Sequence, residues 1–196
     1  MDSSLVVRAQ QGDRGAFTSL VDAIGGRLHA IAYSILRDRE LARDATQQTL
    51  LIAWQDLSRL RDPDRFESWA CRILVRSCRR ESSRAKRWVP ASIEQSGRVP
   101  TTLDDTRVVV DRDQVERAFR RLSVDQRAVV VLTYYHDLGP GQVAERLGVP
   151  VGTVDSRLHR ALDTLHAALD ADARTQVPRG YEPRPFNTGS QQEVKR

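Results

Sequence analysis

The chain has 196 residues, 40% hydrophobic and 29% charged, ordinary values for a globular protein with room for one large domain or two small ones. Its net charge of +5 and pI near 9.7 are carried almost wholly by arginine, whose planar fork suits phosphates and base edges, although a GC-rich coding bias would give the same composition. No apolar run approaches the roughly 20 residues that cross a bilayer, and the opening MDSSLVVRAQQGDRGAF lacks the layout of a secretory signal, so a cytoplasmic location is expected.

Apolar spacing predicts a first helix over Gln10 to Asp22, with Ala16, Phe17, Leu20 and Val21 inward, and a break at Gly25-Gly26. A second helix is expected over about Arg27 to Leu36, with Leu28, Ile31, Ala32 and Ile35 buried. Asp38 can cap a third, running to about Leu57, because its carboxylate can accept an otherwise unpaired N–H. Leu41, Ala45, Leu50, Leu51 and Trp54 are its candidate core. Arg59 to Arg65, containing Asp62-Pro63-Asp64, reads as a turn, since proline limits helix at the residue before it.

A fourth helix, Phe66 to about Arg87, carries an apolar face of Trp69, Cys71, Ile73, Leu74 and Cys78. Arg72, Arg76, Arg79, Arg80, Arg84 and Arg87 fall near one stripe, only slightly offset by Glu67 and Glu81. Like charges at this spacing destabilise a helix by a few tenths of a kcal/mol per pair, so a sustained stripe suggests a polyanionic partner. A solvated face of a basic protein is the plainer alternative. Cys71 and Cys78 lie two turns apart, about 10 Å along a helix and too far for a disulfide within it; both read as core residues.

Periodicity fails from Val89 to about Asp111, where prolines, Gly97 and several Ser and Thr mark a linker with a mildly acidic tone from Glu94, Asp104 and Asp105. It resumes at Arg112 with Val115, Ala118, Phe119 and Leu122 inward. Ser123-Val124-Asp125-Gln126 fits a capping box, and Ala128 to Tyr135 forms an apolar body ended by Asp137-Leu138-Gly139-Pro140-Gly141. After Leu169 the chain turns polar and rich in Pro and Gly, as a disordered tail would. No segment has strand periodicity, so an all-α fold of two small helical domains joined by a flexible linker is expected.

Gln142 to Leu169 reads as a short helix, a tight turn and a longer helix. Val143, Ala144 and Leu147 share one face of the first, Gly148 can take the positive φ of the turn, and Val154, Leu158, Ala161, Leu162 and Leu165 line the second. The opposite face shows Gly152, Ser156 and His159, flanked by Thr153, Arg157 and Arg160. Short polar and arginine side chains near a helix N-terminus suit the DNA major groove. Helix pairs with a glycine between them also occur in bundles, and the spacing alone does not separate the two readings.

Catalytic signatures are missing: no phosphate loop, no dinucleotide fingerprint after a strand, and no metal-ligand spacing among His29, His136, His159, His166 and the two cysteines. No metal, cofactor or enzyme active site is expected.

The order of parts resembles a bacterial RNA polymerase sigma factor of the extracytoplasmic-function (ECF) group. Leu122-Ser123-x-x-Gln126-Arg127, then Leu138, Val143-Ala144, Leu147 to Val154 and Ser156 to Ala161 carry the stronger part of the likeness. Asp44-Ala45, Gln47, Thr49 and Ala53-Trp54 resemble the family's polymerase-docking segment, and Phe66-x-x-Trp69 with Ile73 its promoter-melting helix. The resemblance implies residues 1–88 as a domain for polymerase docking and the −10 element, 89–111 as a flexible acidic linker, 112–170 as a helix-turn-helix domain for the −35 element and 171–196 as a tail. It implies docking on core RNA polymerase through Asp44, Gln47 and Gln48. Contacts with promoter DNA would come from Thr153, Asp155, Ser156, Arg157, His159 and Arg160 at −35, and from Arg61, Arg65, Trp69, Arg72, Arg76, Arg79 and Arg80 at −10. A pocket in the Arg61–Arg65 loop could hold an extruded base, and an anti-sigma protein is the usual regulator.

Three departures stand out: Gln48 replaces a usual Glu, Arg76 a usual Asn, and Asp155 a common Lys. Asp155 would repel phosphate yet could accept from a cytosine amino group. Two other classes compete. A stand-alone helix-turn-helix regulator would need a dimer surface, for which the apolar run Val129–Leu132 is a candidate. A helical adaptor or RNA-binding module using the Arg stripe would leave the Gly152–Arg160 pattern unexplained.

Overall fold

The computed structural model describes residues 2–88 and 106–176, with side-chain surroundings described for 2–87 and 113–172. Among these the chain is all-α. Helices α1 (Ser3–Gln10), α2 (Arg14–Leu36), α3 (Arg39–Asp56) and α4 (Phe66–Trp88) form an N-terminal module, with two single 3₁₀ turns at Leu57–Arg59 and Pro63–Arg65 before α4. A C-terminal module follows from α5 (Thr106–Arg120), α6 (Val124–Val130), α7 (Pro140–Leu147) and α8 (Val151–Gln176).

The first break in the chain falls earlier than expected. It lies at Gly12, with φ +93°, and separates the unforeseen α1 from α2, whose start is capped by Asp13 accepting from the Ala16 N–H at 3.0 Å. Gly25 and Gly26 lie inside α2 and do not interrupt it. Two interior glycines cost about 1 kcal/mol each, but Leu20, Ile24, Leu28, Ile31 and Ile35 are all buried along the same helix and outweigh that cost. At its far end α2 closes on Arg37, which takes a left-handed φ of 57° while its N–H still donates to the Tyr33 carbonyl at 2.8 Å.

Asp38 caps α3 as expected, accepting from the Leu41 N–H at 2.9 Å. The expected core of α3 holds in part: Ala45 is buried and Leu41 and Leu50 pack half-buried against the core, but Leu51 and Trp54 do not. Ala42, Ala45, Thr46, Thr49 and Ala53 are its buried residues, while Leu51 is 51% and Trp54 37% exposed. Small residues let α3 approach its neighbours closely, which turns the bulky ones outward. In α4 the inward face is Phe66, Ala70, Cys71, Ile73, Leu74, Val75 and Cys78, with Trp69 half-buried.

In the C-terminal module α5 begins at Thr106, six residues before the periodicity was expected to resume. Ala118, Phe119 and Leu122 are buried, but Val115 is half exposed. Ser123 and Gln126 form the expected capping box: the Gln126 N–H donates to Ser123 Oγ at 3.2 Å and the Ser123 N–H to Gln126 Oε1 at 2.9 Å. After α6 the backbone widens into a π turn over Val131–Tyr135, which leaves Tyr134 and Tyr135 exposed. Val129–Leu132 is fully packed in the core, so that run offers no dimer surface. Helix α8 extends through Gln176, beyond the expected start of a tail; residues 177–196, like most of the expected linker, lie outside the described residues.

The two modules pack directly on one another. α2 and α4 meet α6 and α7, and their buried apolar residues form one continuous core.

Candidate nucleic-acid interface

Helices α7 and α8 form the helix-turn-helix. Val143, Ala144, Leu147, Val154 and Ala161 are buried between them and α6, which fixes the crossing and leaves the other face of α8 to solvent. Gly148 ends α7 at φ +65°, and the Val149 N–H reaches back to the Ala144 carbonyl at 3.1 Å. A Cβ at Gly148 would in addition lie 2.7 Å from Arg72 Nε, so a side chain here would be strained by the positive φ and would displace the arginine.

The solvent face of α8 presents Gly152, Asp155, Ser156, His159 and Arg160, with Thr153 half-exposed at its edge. Arg160 is held along the helix, donating from Nε to the Ser156 carbonyl at 3.1 Å and from Nη2 to Ser156 Oγ at 3.3 Å. This aligns the fork beside the serine rather than leaving it to sweep. His159 lies 3.6 Å from Asp163. Arg157, by contrast, is turned away: its side chain is 24% exposed, with Nη2 3.7 Å from Asp125 and Nη1 buried without a partner.

A second basic surface gathers on α4 and the turn before it. Leu60, Arg61, Asp62, Arg65, Ser68, Trp69 and Arg72 line a cavity of about 280 Å³ whose far rim is Glu145 of α7. Next to it, a cavity of about 300 Å³ lies between α3 and α4, with Gln48, Asp56, Arg59, Trp69, Ile73, Arg76, Ser77 and Arg80 in its walls. Trp69 lines both. Gln48 thus lies beside Arg76 and Arg80, whereas Gln47 edges a different groove on α3. Arg76, Arg80, Arg84 and Arg87 face solvent, whereas Arg72 and Arg79 point at the C-terminal module, so the arginine stripe is split between two environments. Of its acidic neighbours, Glu67 pairs with Arg27 at 2.7 Å, and Glu81 is buried.

A third surface was not foreseen. Phe17, Val21, Leu50, Leu51 and Trp54, edged by Arg14, Thr18 and Gln47, form an apolar groove of about 430 Å³ between α2 and α3. The Phe17 and Trp54 rings brace each other at 4.8 Å between centroids and 58° between planes. Asp44 and Gln47 are exposed on the same helix. The signal was present in the spacing, because Leu50, Leu51 and Trp54 do not share a face with Ala42, Ala45 and Ala53.

Burial pushes the Cys71 thiol up to about 11 and the Cys78 thiol up to about 12, so neither is a thiolate near neutral pH. The Arg127 guanidinium is pulled below its ordinary value, chiefly by burial.

A helix-turn-helix module packed on an arginine-rich helical module, with a separate exposed apolar groove, is an arrangement suited to a DNA-binding protein. The family follows from comparison with known proteins. The family model for sigma-70 region 2 matches residues 20–88 and that for sigma-70 region 4 matches residues 112–165. The chain is 36% identical over 160 residues to the ECF RNA polymerase sigma factor SigM of Mycobacterium tuberculosis, covering 82% of this chain and 80% of the relative. It is 32% identical over 165 residues to the same organism's ECF sigma factor SigL, covering 82% and 93%. Among solved structures it is similar to CnrH in complex with the cytosolic domain of CnrY, with a TM-score of 0.62 and 29% identity over 87% of this chain and 98% of that one. The sigma factor RpoE bound to the anti-sigma factor NepR from Bartonella quintana shares the fold, with a TM-score of 0.59 over 80% and 98% of the two chains at 24% identity. The chain belongs to the sigma-70 family, in its ECF group: it is an RNA polymerase sigma factor.

Proposed function

We propose that the three surfaces divide the work of promoter recognition among them. The groove of Phe17, Leu50, Leu51 and Trp54, with Gln47 on its polar edge and Asp44 exposed on the same helix, docks on core RNA polymerase. An exposed apolar patch with a charged rim is what a protein–protein interface needs, and the solvent-facing Trp54 is the kind of anchor that carries binding energy. Gln48 belongs with the neighbouring cavity and supports Arg76 and Arg80 there.

Helix α8 reads the −35 element. Ser156, His159 and Arg160 face the groove floor, Thr153 lies at the helix entry, and Asp155 selects against phosphate approach and for an exposed cytosine amino group. The turn before α4 and the arginines of that helix hold the −10 element: the cavity of Arg61, Arg65 and Trp69 has the size and the stacking wall for a single extruded base, while Arg76 and Arg80 attract the backbone. Residues 1–88 and 112–170 are the two functional domains, joined by the acidic segment 89–111, which suits a basic polymerase channel.

The observation that carries this reading is the exposed polar face of α8 with Arg160 held beside Ser156 on one module and the Arg76–Arg80 surface on the other, with a separate apolar groove between α2 and α3. A chain of this kind has no chemistry of its own. It acts in the cytoplasm on the polymerase, under an anti-sigma protein that covers both modules. Gel-shift analysis of a promoter fragment tests the division: the polymerase with this chain retains the fragment, and either component alone does not. Retention by the chain alone at equal affinity would contradict it.

A further inference from the structure

The cavity beneath the Arg61–Arg65 turn has one rigid wall and one irregular wall. Trp69 and Arg72 stand on α4, whereas Leu60, Arg61, Asp62 and Arg65 come from the stretch that holds the two 3₁₀ turns. No helix ladder fixes the backbone at Leu60, which is extended between those turns with φ −73° and ψ 108°. Helix α1 reaches it from far away in the sequence. The Gln10 amide donates from Nε2 to the Leu57 carbonyl at 3.1 Å and to the Leu60 carbonyl at 2.7 Å, and the side chain is half-buried there. The same helix packs against both 3₁₀ turns. With 8 residues, α1 is too short to persist alone. Val6 and Ala9 hold it in the core, and beyond it the Arg8–Asp13 pair at 2.6 Å closes the Gly12 turn.

We infer that Gln10 is a positioning residue for the extruded base: its amide clamps the backbone from Leu57 to Leu60 and so sets the cavity's irregular wall against Trp69. This rests on the reading of that cavity as the −10 base pocket. A primary amide suits the task, because it carries two N–H donors and two carbonyls need them. A pocket discriminates among bases only while its walls keep their spacing, and a shift of about 0.5 Å is enough to loosen it. Gln10 does not itself line the cavity, so it acts through the turn. Its neighbour Gln11 is exposed and provides the control.

The test uses the full chain with core polymerase and a promoter that this pair transcribes, supplied as a fork already melted across the −10 element. An abasic site replaces each −10 nucleotide in turn. With wild type, one position weakens binding by about tenfold, the scale of a base stacked on an aromatic wall, and so marks the extruded base. Gln10→Met nearly keeps the length of the side chain and loses both donors; it narrows that ratio to about threefold or less through the two lost hydrogen bonds. Gln10→Ala does likewise, and Gln11→Ala keeps the wild-type ratio. Affinity for core polymerase and the penalty for a changed −35 element stay level in every variant, a split that general loss of folding does not give. A wild-type ratio in Gln10→Met, or equal losses at −10, at −35 and in polymerase binding, overturns the inference alone. Absence of any sensitive position with wild type overturns the base-pocket reading, and the inference with it.

Discussion

Leu51 gives the cleanest way to separate docking from folding. Its side chain is 51% exposed at the lip of the α2–α3 groove, so the fold has used only about half of its apolar surface. Burying a whole leucine side chain is worth about 1.5–3 kcal/mol, so completing its burial against polymerase is worth about 0.8–1.5 kcal/mol. Leu51→Ala should therefore weaken binding to core polymerase roughly four- to tenfold, at 1.4 kcal/mol per factor of ten. Leu51→Glu would place an unpaired carboxylate in the interface and should cost a further factor of about ten or more, since truncated or mismatched charges there cost roughly 2–5 kcal/mol. Neither change should lower stability by more than about 0.5–1 kcal/mol, because the position is on the surface. Fluorescence titration of labelled chain with core polymerase, paired with urea denaturation, measures both. Unchanged affinity for both variants, or affinity lost in proportion to stability, would refute the docking assignment.

Further outcomes follow from the same geometry. Arg160→Ala should weaken initiation from promoters that need the −35 element by about tenfold, consistent with about 1–3 kcal/mol for a good base contact, while polymerase binding stays level; equal loss of both would show that this face of α8 was misassigned. Arg76→Ala with Arg80→Ala should impair strand opening more than recruitment, seen as reduced permanganate reactivity of promoter thymines at equal occupancy, and unchanged reactivity would count against it. His136 supplies a pH dependence. Burial, then the Arg146 and Arg27 charges, holds its imidazole below the usual value of about 6.5, so the unfolded chain takes the proton more readily. Stability should be full above about pH 6.5 and fall as the pH drops below it, down to the lowered folded pKa; the slope should flatten in His136→Gln. Thermal melts at pH 7.5 and 5.5 check this, and identical slopes would move the cause elsewhere.

The recognition motif was legible because its signals are local. Gly148, the capping box at Ser123 and Gln126, and the 3.6-residue spacing of Val154, Leu158 and Ala161 each depend on a few neighbouring residues, and the structure keeps them all. What the chain hid was tertiary. Gly25-Gly26 looked like a break, yet burial along α2 overrode the propensity of two glycines. Leu51 and Trp54 looked like core, since hydrophobicity alone does not distinguish a face that packs from one kept open for a partner. Arg157 looked like a groove contact until Asp125 of a different helix drew it inward. The same is true of Arg72 and Arg79, whose partners lie 73 and 46 residues away and cannot be read from spacing on one helix.

As a sigma factor, this chain gives core polymerase a promoter preference that neither has alone. Transcription reconstituted from core polymerase, the purified chain and a fragmented genomic template, with the RNA 5′ ends mapped, tests it directly. The expected result is a small set of discrete starts, each preceded by a shared pair of upstream elements and absent when the chain is omitted. Starts that are unchanged by the chain, or that are suppressed by it as a DNA-bound dimer would suppress them, would contradict the assignment.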